Sequence, residues 1–404
     1  MKKTKYKGKI DVVVKYFYPI AAGIEVNTME TYSVLARSGW DVTFHVSNDL
    51  YLEKNILPKY EKIRGIKVKR YRFVSDTIGY MPDINWNKTN IVCLHNFNIY
   101  HFRILIKILF MKIMGRKRFG LAITPHGGFN PEWSIFSKIQ RIIKPIYHYT
   151  IGTLLINTTA DGVRAVSEWE KKEMIKKGVN KDLINVITNG LENEAFMDVE
   201  KKASKEIKKM VKGFGKYIIQ VGRIYPIKNY ETVIKALPKI DKNIKYVIVG
   251  QEEKSTEYKE SLIKLASNLG VNNRLIFAGV IRGVDKYYLI KKSKLMVHMA
   301  IWESFCNVVH EGLSQGLVCI VANNTALPLL IRDRVNGYVV DTHDSVNLSK
   351  RINYVLKNFN NSKIKNIRKL NREFGKDSSW ENVSFKMEKF YQGIIYKISV
   401  NHNL

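Results

Sequence analysis

The sequence predicts an α/β protein made of two units, each a parallel sheet covered by helices. Three observations lead there. The chain has 404 residues, more than one ordinary core accommodates when domains run to about 100–200 residues. Short β-branched runs alternate with segments of helical apolar spacing from end to end, as strands joined by crossover helices do. The alternation restarts near residue 216 after a charge-rich stretch.

In the first half KIDVVVKYF (9–17) reads as a strand, 26–38 as a helix and DVTFHV (41–46) as a strand. IVCLH (91–95), a helix over 100–114 and the strand LAIT (121–124) follow. The second half runs KYIIQVG (216–222), a helix from Asn229, KYVIVG (245–250), a helix over 255–269, RLIFAG (274–279), a helix over 284–291 and KLMVHM (294–299). Between the halves, residues 195–215 lose strand character and end on two glycines. The domains are therefore placed at 1–200 and 201–380, with a helical segment at 381–404 returning to the first domain.

Lys and Arg number 67 against 36 Asp and Glu, a formal +31, of which 16 charges fall in 1–190. An excess spread over both halves points to anionic partners. It is not gathered on a recognisable nucleic-acid motif, so a basic nucleic-acid-binding protein is the rival reading rather than the favoured one. Cys93, Cys306 and Cys319 lie in apolar stretches without C-x-x-C spacing, which predicts a reducing, cytoplasmic setting without a disulfide or zinc site. The apolar runs fall short of the roughly 20 residues that span a bilayer, and the N-terminus lacks a signal-peptide core. Between 85 and 150, however, Lys88, Arg103, Lys107, Lys112, Arg116, Lys117, Arg118, Lys138, Arg141 and Lys144 face one acidic residue, Glu132. Ile104, Leu105, Ile108, Leu109, Met111 and Ile113 are interleaved with the first of them. That mixture suits peripheral docking on the anionic inner membrane face, and the same apolar residues equally suit the core side of a crossover helix.

Ligands of open parallel sheets lie beyond the carboxyl ends of the strands. After KYIIQVG come Gly222, Arg223 and Lys228, with Asn229 read as the N-cap of a helix. A tight turn, two cations and a helix start suit a diphosphate, gripped bidentately by arginine and as a point charge by lysine. After KLMVHM, Glu303 and Glu311 stand eight positions apart. On a helix starting near Ser304 they lie on the order of 12 Å apart along the axis, beyond the roughly 5–9.5 Å of a glycosidase carboxylate pair. They suit the two ends of one elongated ligand, with the amides of Phe305, Cys306, Asn307 and Val308 between them. LAIT ends in Pro-His-Gly-Gly, which puts His126 at a strand end, and the loop 19–25 carries Gly23 into the helix at 26–38. Each of these alone has an ordinary structural alternative: a solvated basic loop, a glutamate complementing a helix dipole, a structural histidine. No G-x-x-x-x-G-K-[ST], no G-x-G-x-x-G after a strand and no Asp-x-Asp is found, so neither a metal nor a cofactor is expected.

In order and spacing, these pieces resemble family 4 of the retaining GT-B glycosyltransferases over nearly the whole chain. The paired glutamates at 303 and 311 carry most of the likeness, supported by Gly-Arg-x4-Lys-Asn at 222–229 and by VRAVSEWEKKEMIKKGVNKDLINVITNGLENEAF at 163–196. The resemblance implies GT-B architecture, two Rossmann-like domains with parallel sheets facing a cleft. It implies transfer of a hexose or N-acetylhexosamine from a UDP- or GDP-linked donor to a glycan or lipid-linked acceptor, with retention and without metal. Arg223 and Lys228 would bind the donor diphosphate, Glu311 the ribose, Glu303 the transferred sugar. His126 would lie against that sugar, and Gly23 near the phosphate and acceptor. Cys306 stands where the family usually has Gly, Gly312 where Ala is common, and 325–329 keeps only Pro328 of Gly-Gly-x-Pro-Glu. A GT-B-fold sugar-nucleotide epimerase is the alternative within that architecture.

Overall fold

The computed structural model describes residues 6–20, 23–50, 56–75, 78–252 and 257–402. It divides into two compact units, Met1–Gly190 with Trp380–Leu404, and Leu191–Ser379.

The first unit is built on eight strands: β1 (Gly8–Val13), β2 (Trp40–Ser47), β3 (Tyr60–Ile63), β4 (Ile66–Tyr71), β5 (Ile91–His95), β6 (Gly120–Thr124), β7 (Gly162–Ala165) and β8 (Ile184–Val186). Their order is β3-β4-β2-β1-β5-β6-β7-β8, parallel except for the β3–β4 hairpin. β5 and β6 are buried at every position because helices cover both faces. Those helices are α1 (Gly23–Arg37), α2 (Phe102–Ile113), α3 (Lys138–Tyr147), α4 (Thr153–Thr159) and α5 (Glu168–Lys176). α1 starts at Gly23, earlier than the expected 26, and residues 21–22 of that loop lie outside the described residues. α2 is shorter than 100–114, because Asn98 caps a 3-10 turn at Ile99–His101 by accepting the Ile99 amide at 2.7 Å.

The interleaved residues at 104–113 divide as a crossover helix requires. Ile104, Leu105 and Ile108 are buried against the sheet and Ile113 is exposed. Of the ten basic residues between 85 and 150, Lys117 and Lys144 are buried and the other eight exposed. Lys117 pairs with Asp161, and Lys144 lies with its ammonium 4.3 Å from the Phe136 ring. These two are therefore not part of a cationic surface.

The C-terminal helix, Trp380–His402, belongs to the first unit. Trp380, Val383, Met387, Tyr391 and Ile394 form its buried stripe in the core that holds Ile10, Val12, Phe44 and Ala122. It sits close because glycines underlie it. A Cβ on Gly120 would stand 2.3 Å from Ile394 Cγ2, and one on Gly162 2.8 Å from the Phe390 ring.

The second unit's six strands are β9 (Tyr217–Val221), β10 (Lys245–Val249), β11 (Leu275–Phe277), β12 (Met296–His298), β13 (Cys319–Ala322) and β14 (Gly337–Val340), in the order β11-β10-β9-β12-β13-β14, all parallel. Its helices are α6 (Val199–Lys202), α7 (Lys205–Phe214), α8 (Tyr230–Ala236), α9 (Glu257–Asn268), α10 (Gly283–Lys292), α11 (Asn307–Ser314), α12 (Leu327–Leu330), α13 (Ser345–Lys357) and α14 (Ser362–Phe374). Residues 255–256 of the expected helix at 255–269 lie outside the described residues. The units divide at Gly190 rather than at 200 because Leu191, Ala195, Val199 and Ala203 are buried in the second core. The charge-rich stretch is the outer face of α6 and α7, with Ile207 and Val211 turned inward. All three cysteines are free and buried.

In this sheet the strand order reverses between β9 and β12, which are neighbours through Ile219 and Met296. The loops leaving these strands consequently emerge side by side at the switch point, the usual place for a ligand.

Two substitutions on the C-terminal helix should act in opposite directions. Met387 is fully buried, so Met387→Ala should cost the first unit about 2–4 kcal/mol through lost contact and cavity. A Cβ on Gly393 meets nothing within 4 Å, so Gly393→Ala should gain about 0.5–1 kcal/mol. Urea denaturation of both variants measures this, and a loss below about 1 kcal/mol for Met387→Ala would contradict the packing assigned to that stripe.

Candidate functional site

The loop after β9 is held from three sides. Pro226–Lys228 forms a 3-10 turn, and Asn229 follows in the left-handed region at φ 50°, ψ 54°. Asn229 stands at the N-cap position of α8, as expected, but its side chain makes no cap hydrogen bond. Its side-chain amide instead donates to the carbonyls of Met299, at 2.9 Å, and Thr342, at 2.8 Å, while its oxygen accepts the Thr232 hydroxyl. Gln220 donates to the Lys228 carbonyl at 2.8 Å, and the Ile301 amide to the Ile227 carbonyl at 2.9 Å. The loops after β9 and β12 are thereby locked together.

The lock brings Lys228 to Glu303, Nζ to Oε1 at 2.5 Å, and His298 Nε2 lies 2.8 Å from the same oxygen. The Glu303 amide donates to the Thr325 hydroxyl at 3.0 Å, and its carbonyl accepts from Ala326. Burial favours the neutral acid, but Lys228 and the His298 hydrogen bond outweigh it and hold the Glu303 carboxyl down to about 2. Arg223 is exposed at the start of the loop, with its guanidinium 5.9 Å from the Tyr225 ring.

α11 begins at Asn307, three residues later than expected from Ser304. Cys306 precedes it at φ 79°, ψ 75° with no side-chain cap, so the chain turns before the helix can form. Phe305 and Cys306 thus stand in the loop with buried side chains, and the helix's first turn holds Asn307 and Val308. Glu311 lies in the second turn of α11 and is buried. Its Oε1 accepts from Lys286 at 3.0 Å, and Lys286 also binds Glu192 at 3.0 Å. Burial and the neighbouring Glu192 push the Glu311 carboxyl up, against the pull of Lys286. Its Oε2 is buried and has no hydrogen-bond partner among the described residues.

In the first unit, β6 ends at Thr124, and after Pro125 His126 takes φ 54°. Its Nε2 is 2.8 Å from His95 Nδ1, His95 Nε2 is 2.7 Å from the Tyr32 hydroxyl, and that hydroxyl is 2.6 Å from Tyr391 on the C-terminal helix. Burial, with His95 and Arg164 nearby, holds the His126 imidazole well below its ordinary range, so it is neutral at pH 7. A neutral imidazole bonded at one nitrogen offers the other to a ligand. Glu170 braces the loop by accepting the amides of Gly127 and, at 2.7 Å, Val166. Burial pushes its carboxyl up to about 7 despite those bonds. Gly23, exposed, is the first residue of α1.

The structure therefore joins Lys228 to Glu303 and places Gly222 and Arg223 at the head of the same loop, while Glu311 belongs to a separate cluster. Sequence reasoning missed His298, Lys286, Glu192, His95 and Glu170. His298 left a signal, a polar residue within the apolar run KLMVHM, as did His95 at the end of IVCLH. Lys286 left none, since a lysine on a surface-spaced helix looks solvated until its partner 25 positions away is known. His298, Glu303 and Cys306 offer ligand atoms within 4.8 Å of one another. The Lys228 ammonium lies against the same Glu303 carboxylate and supplies its counter-charge.

Two parallel-sheet units with loops gathered at the strand ends define a GT-B protein. The glycosyl transferases group 1 profile matches residues 200–373 and the glycosyltransferase family 4 profile matches residues 21–194. The chain belongs to this glycosyltransferase family. An uncharacterised glycosyltransferase of Methanocaldococcus jannaschii is 26% identical over 427 residues, covering 97% of this chain and 99% of that one. The D-inositol 3-phosphate glycosyltransferase of Mycobacterium tuberculosis is 24% identical over 215 residues, 52% of this chain and 43% of that protein. Among solved structures, sucrose-phosphate synthase from Thermosynechococcus elongatus superposes with a TM-score of 0.74 at 16% identity, over 97% of this chain and 100% of that one. Anabaena HepE in complex with UDP and glucose gives 0.70 at 17%, over 96% and 100%.

Two stability measurements test the site. Because the folded pKa of Glu170 lies above its unfolded value of 4.5, its contribution is greatest below pH 4.5 and is lost as pH rises toward 7. Between those limits the stability of wild type should fall relative to Glu170→Ala by on the order of 3 kcal/mol. Urea titrations of both proteins across that range check it, and parallel curves would contradict it. At position 306, Cys306→Gly should stay within about 1 kcal/mol of wild type, since glycine takes the left-handed conformation freely, whereas Cys306→Val should lose about 2 kcal/mol or more.

Proposed function

We propose that the chain transfers a hexose or N-acetylhexosamine from a nucleotide diphosphate sugar, UDP-linked before GDP-linked, to a glycan or lipid-linked acceptor. The observation that carries this reading is the pair of lysine-matched carboxylates at α11, Glu303 before its first residue and Glu311 in its second turn. The buried Oε2 of Glu311 can accept a hydroxyl of the ribose without breaking the Lys286 bond. Glu303, ionised at any physiological pH, accepts hydroxyls of the sugar. Lys228 and Arg223 face the diphosphate, with the N-terminus of α11 adding its dipole. UDP in the HepE complex supports a uridine donor.

Transfer proceeds with retention. The bond from the anomeric carbon to the donor phosphate oxygen breaks, the acceptor oxygen bonds to that carbon on the same face, and the acceptor's proton passes to the departing phosphate. Lys228 and Arg223 stabilise the charge that develops there, the task a divalent metal performs elsewhere. His126 donates a hydrogen bond to a substrate hydroxyl from its neutral ring.

Lys228→Ala and Arg223→Ala should each lower turnover by roughly 100-fold or more, as other electrostatic stabilisers do. Chelator should leave the rate unchanged and the product should keep the donor's anomeric configuration. UDP at about 100 times its dissociation constant should stabilise the protein by about 2.7 kcal/mol, and Glu311→Gln should weaken that shift. Variant turnover within a few-fold of wild type, a metal requirement or an inverted product by NMR would each refute the corresponding assignment.

A further inference from the structure

α3, one wide turn at His148–Gly152 and α4 form a continuous helical rod from Lys138 to Thr159. Its inner side is aromatic: the Tyr147 and His148 rings pack on Phe97, and Leu155 and Ile156 join the same core. Lys144 is buried there too. Its outer side is apolar. Ile139, Ile142, Ile143 and Ile146 are 69, 65, 50 and 59% exposed, and their spacing of three, four and seven puts them on one face. The exposed series continues with Ile151, inside the wide turn, and Leu154, in α4. α2 packs against α4, where the Lys112 ammonium donates to the Thr158 carbonyl at 2.6 Å, and its end exposes Phe110, Ile113 and Met114. Apolar exposure along one face of a helix, as on α3, marks an interaction surface.

The charge on α3 and on the neighbouring α2 selects the partner. Lys138 and Arg141 flank the isoleucines on α3, and Arg103, Lys107, Lys112, Arg116 and Arg118 are exposed on and after α2. Glu132 is the acidic residue of that stretch, and its side chain accepts the Ser134 amide. The face is also preformed. Ser137 and Gln140 make a capping box, and Arg141 donates to the Phe136 carbonyl at 2.8 Å. Two copies of this surface apposed would set Lys138 and Arg141 against cations of the other copy. An anionic bilayer offers phosphates for the cations and acyl chains for the isoleucines.

We propose that the isoleucine face of 138–154 docks the first unit on an anionic lipid bilayer, with Lys138, Arg141, Arg116 and Arg118 on the headgroup phosphates. The docking stands apart from the sugar-transfer reading, so the two are separable by experiment. The purified full chain is floated with vesicles of phosphatidylcholine mixed with phosphatidylglycerol, and of phosphatidylcholine alone, at low and high salt. Wild type should float with the anionic vesicles at low salt. The combined variant Ile139→Ser, Ile142→Ser, Ile143→Ser and Ile146→Ser should reduce that fraction by roughly ten-fold or more. Lys138→Glu with Arg116→Glu and Arg118→Glu should do the same. Both variants should keep wild-type circular dichroism and the UDP-induced thermal shift. Wild type remaining soluble with anionic vesicles overturns the proposal, as does a serine variant that floats like wild type. A concentration-dependent dimer that the serine variant abolishes, without vesicle binding by wild type, would reassign the face to a second copy of the chain.

Discussion

Glu303 keeps its charge where burial alone would neutralise it, because the Lys228 ammonium stands 2.5 Å away and His298 shares the same oxygen. Removing one member of such a pair leaves a charge that neither water nor protein compensates, a loss of about 3–5 kcal/mol in buried cases. The surrounding geometry follows from keeping the pair intact. Lys228 can reach Glu303 only if the chain turns sharply at Pro226–Lys228, which sets Asn229 in the left-handed region. The strain is offset by the bonds of its side chain to Met299 and Thr342, which draw the loops after β12 and β14 onto the loop after β9. The pair and these bonds together hold three strand-end loops in place.

The first unit solves a different problem. His126 is kept neutral, not charged, and its ring is oriented by a chain of hydrogen bonds through His95 and Tyr32 to Tyr391. The last link lies on the C-terminal helix, so the segment at the far end of the sequence supplies both core apolar area and the terminus of that chain. Nearby, the fully buried Arg164 is satisfied by the carbonyls of Ile187 and Thr188 and by the side chains of Asn27 and Asn189. A buried cation tolerates such a setting only when its donors are all matched to acceptors. This ties α1 to the end of β8.

The fold was legible because its signals are local. Strands such as 91–95 and 216–222 are short apolar runs, and their length and β-branched residues distinguish them from the longer helices between. Shorter strands, β7, β8, β13 and β14 among them, carry too few residues for a period to show. The boundary falls before 195–215 for a related reason: lysine-rich helices that turn only a few residues inward, Val199, Ile207 and Val211 among them, resemble a linker in composition. At the site, Lys228 and Glu303 were legible as residue types at strand ends. The alliance between them spans 75 positions, and no local pattern encodes it.

By itself, then, the sequence determined the two-unit α/β architecture, the strand-end placement of Arg223, Lys228, Glu303 and His126, the helical placement of Glu311, and the excess of cations over anions. Each depends on neighbours within a few residues or on composition. The tertiary structure decided which charges meet and which faces stay open. It paired Lys286 with Glu192 and Glu311, buried Lys117 and Lys144 out of a basic stretch, and delayed α11 to Asn307. It also turned Ile139, Ile142, Ile143 and Ile146 to the outside while Tyr147 and His148 went in. The physical reason for this last choice lies in the helix itself. A helix with apolar residues on one face and aromatics on another has two sides that suit a core, and only the shape and charge of what lies beneath it settle which side is used.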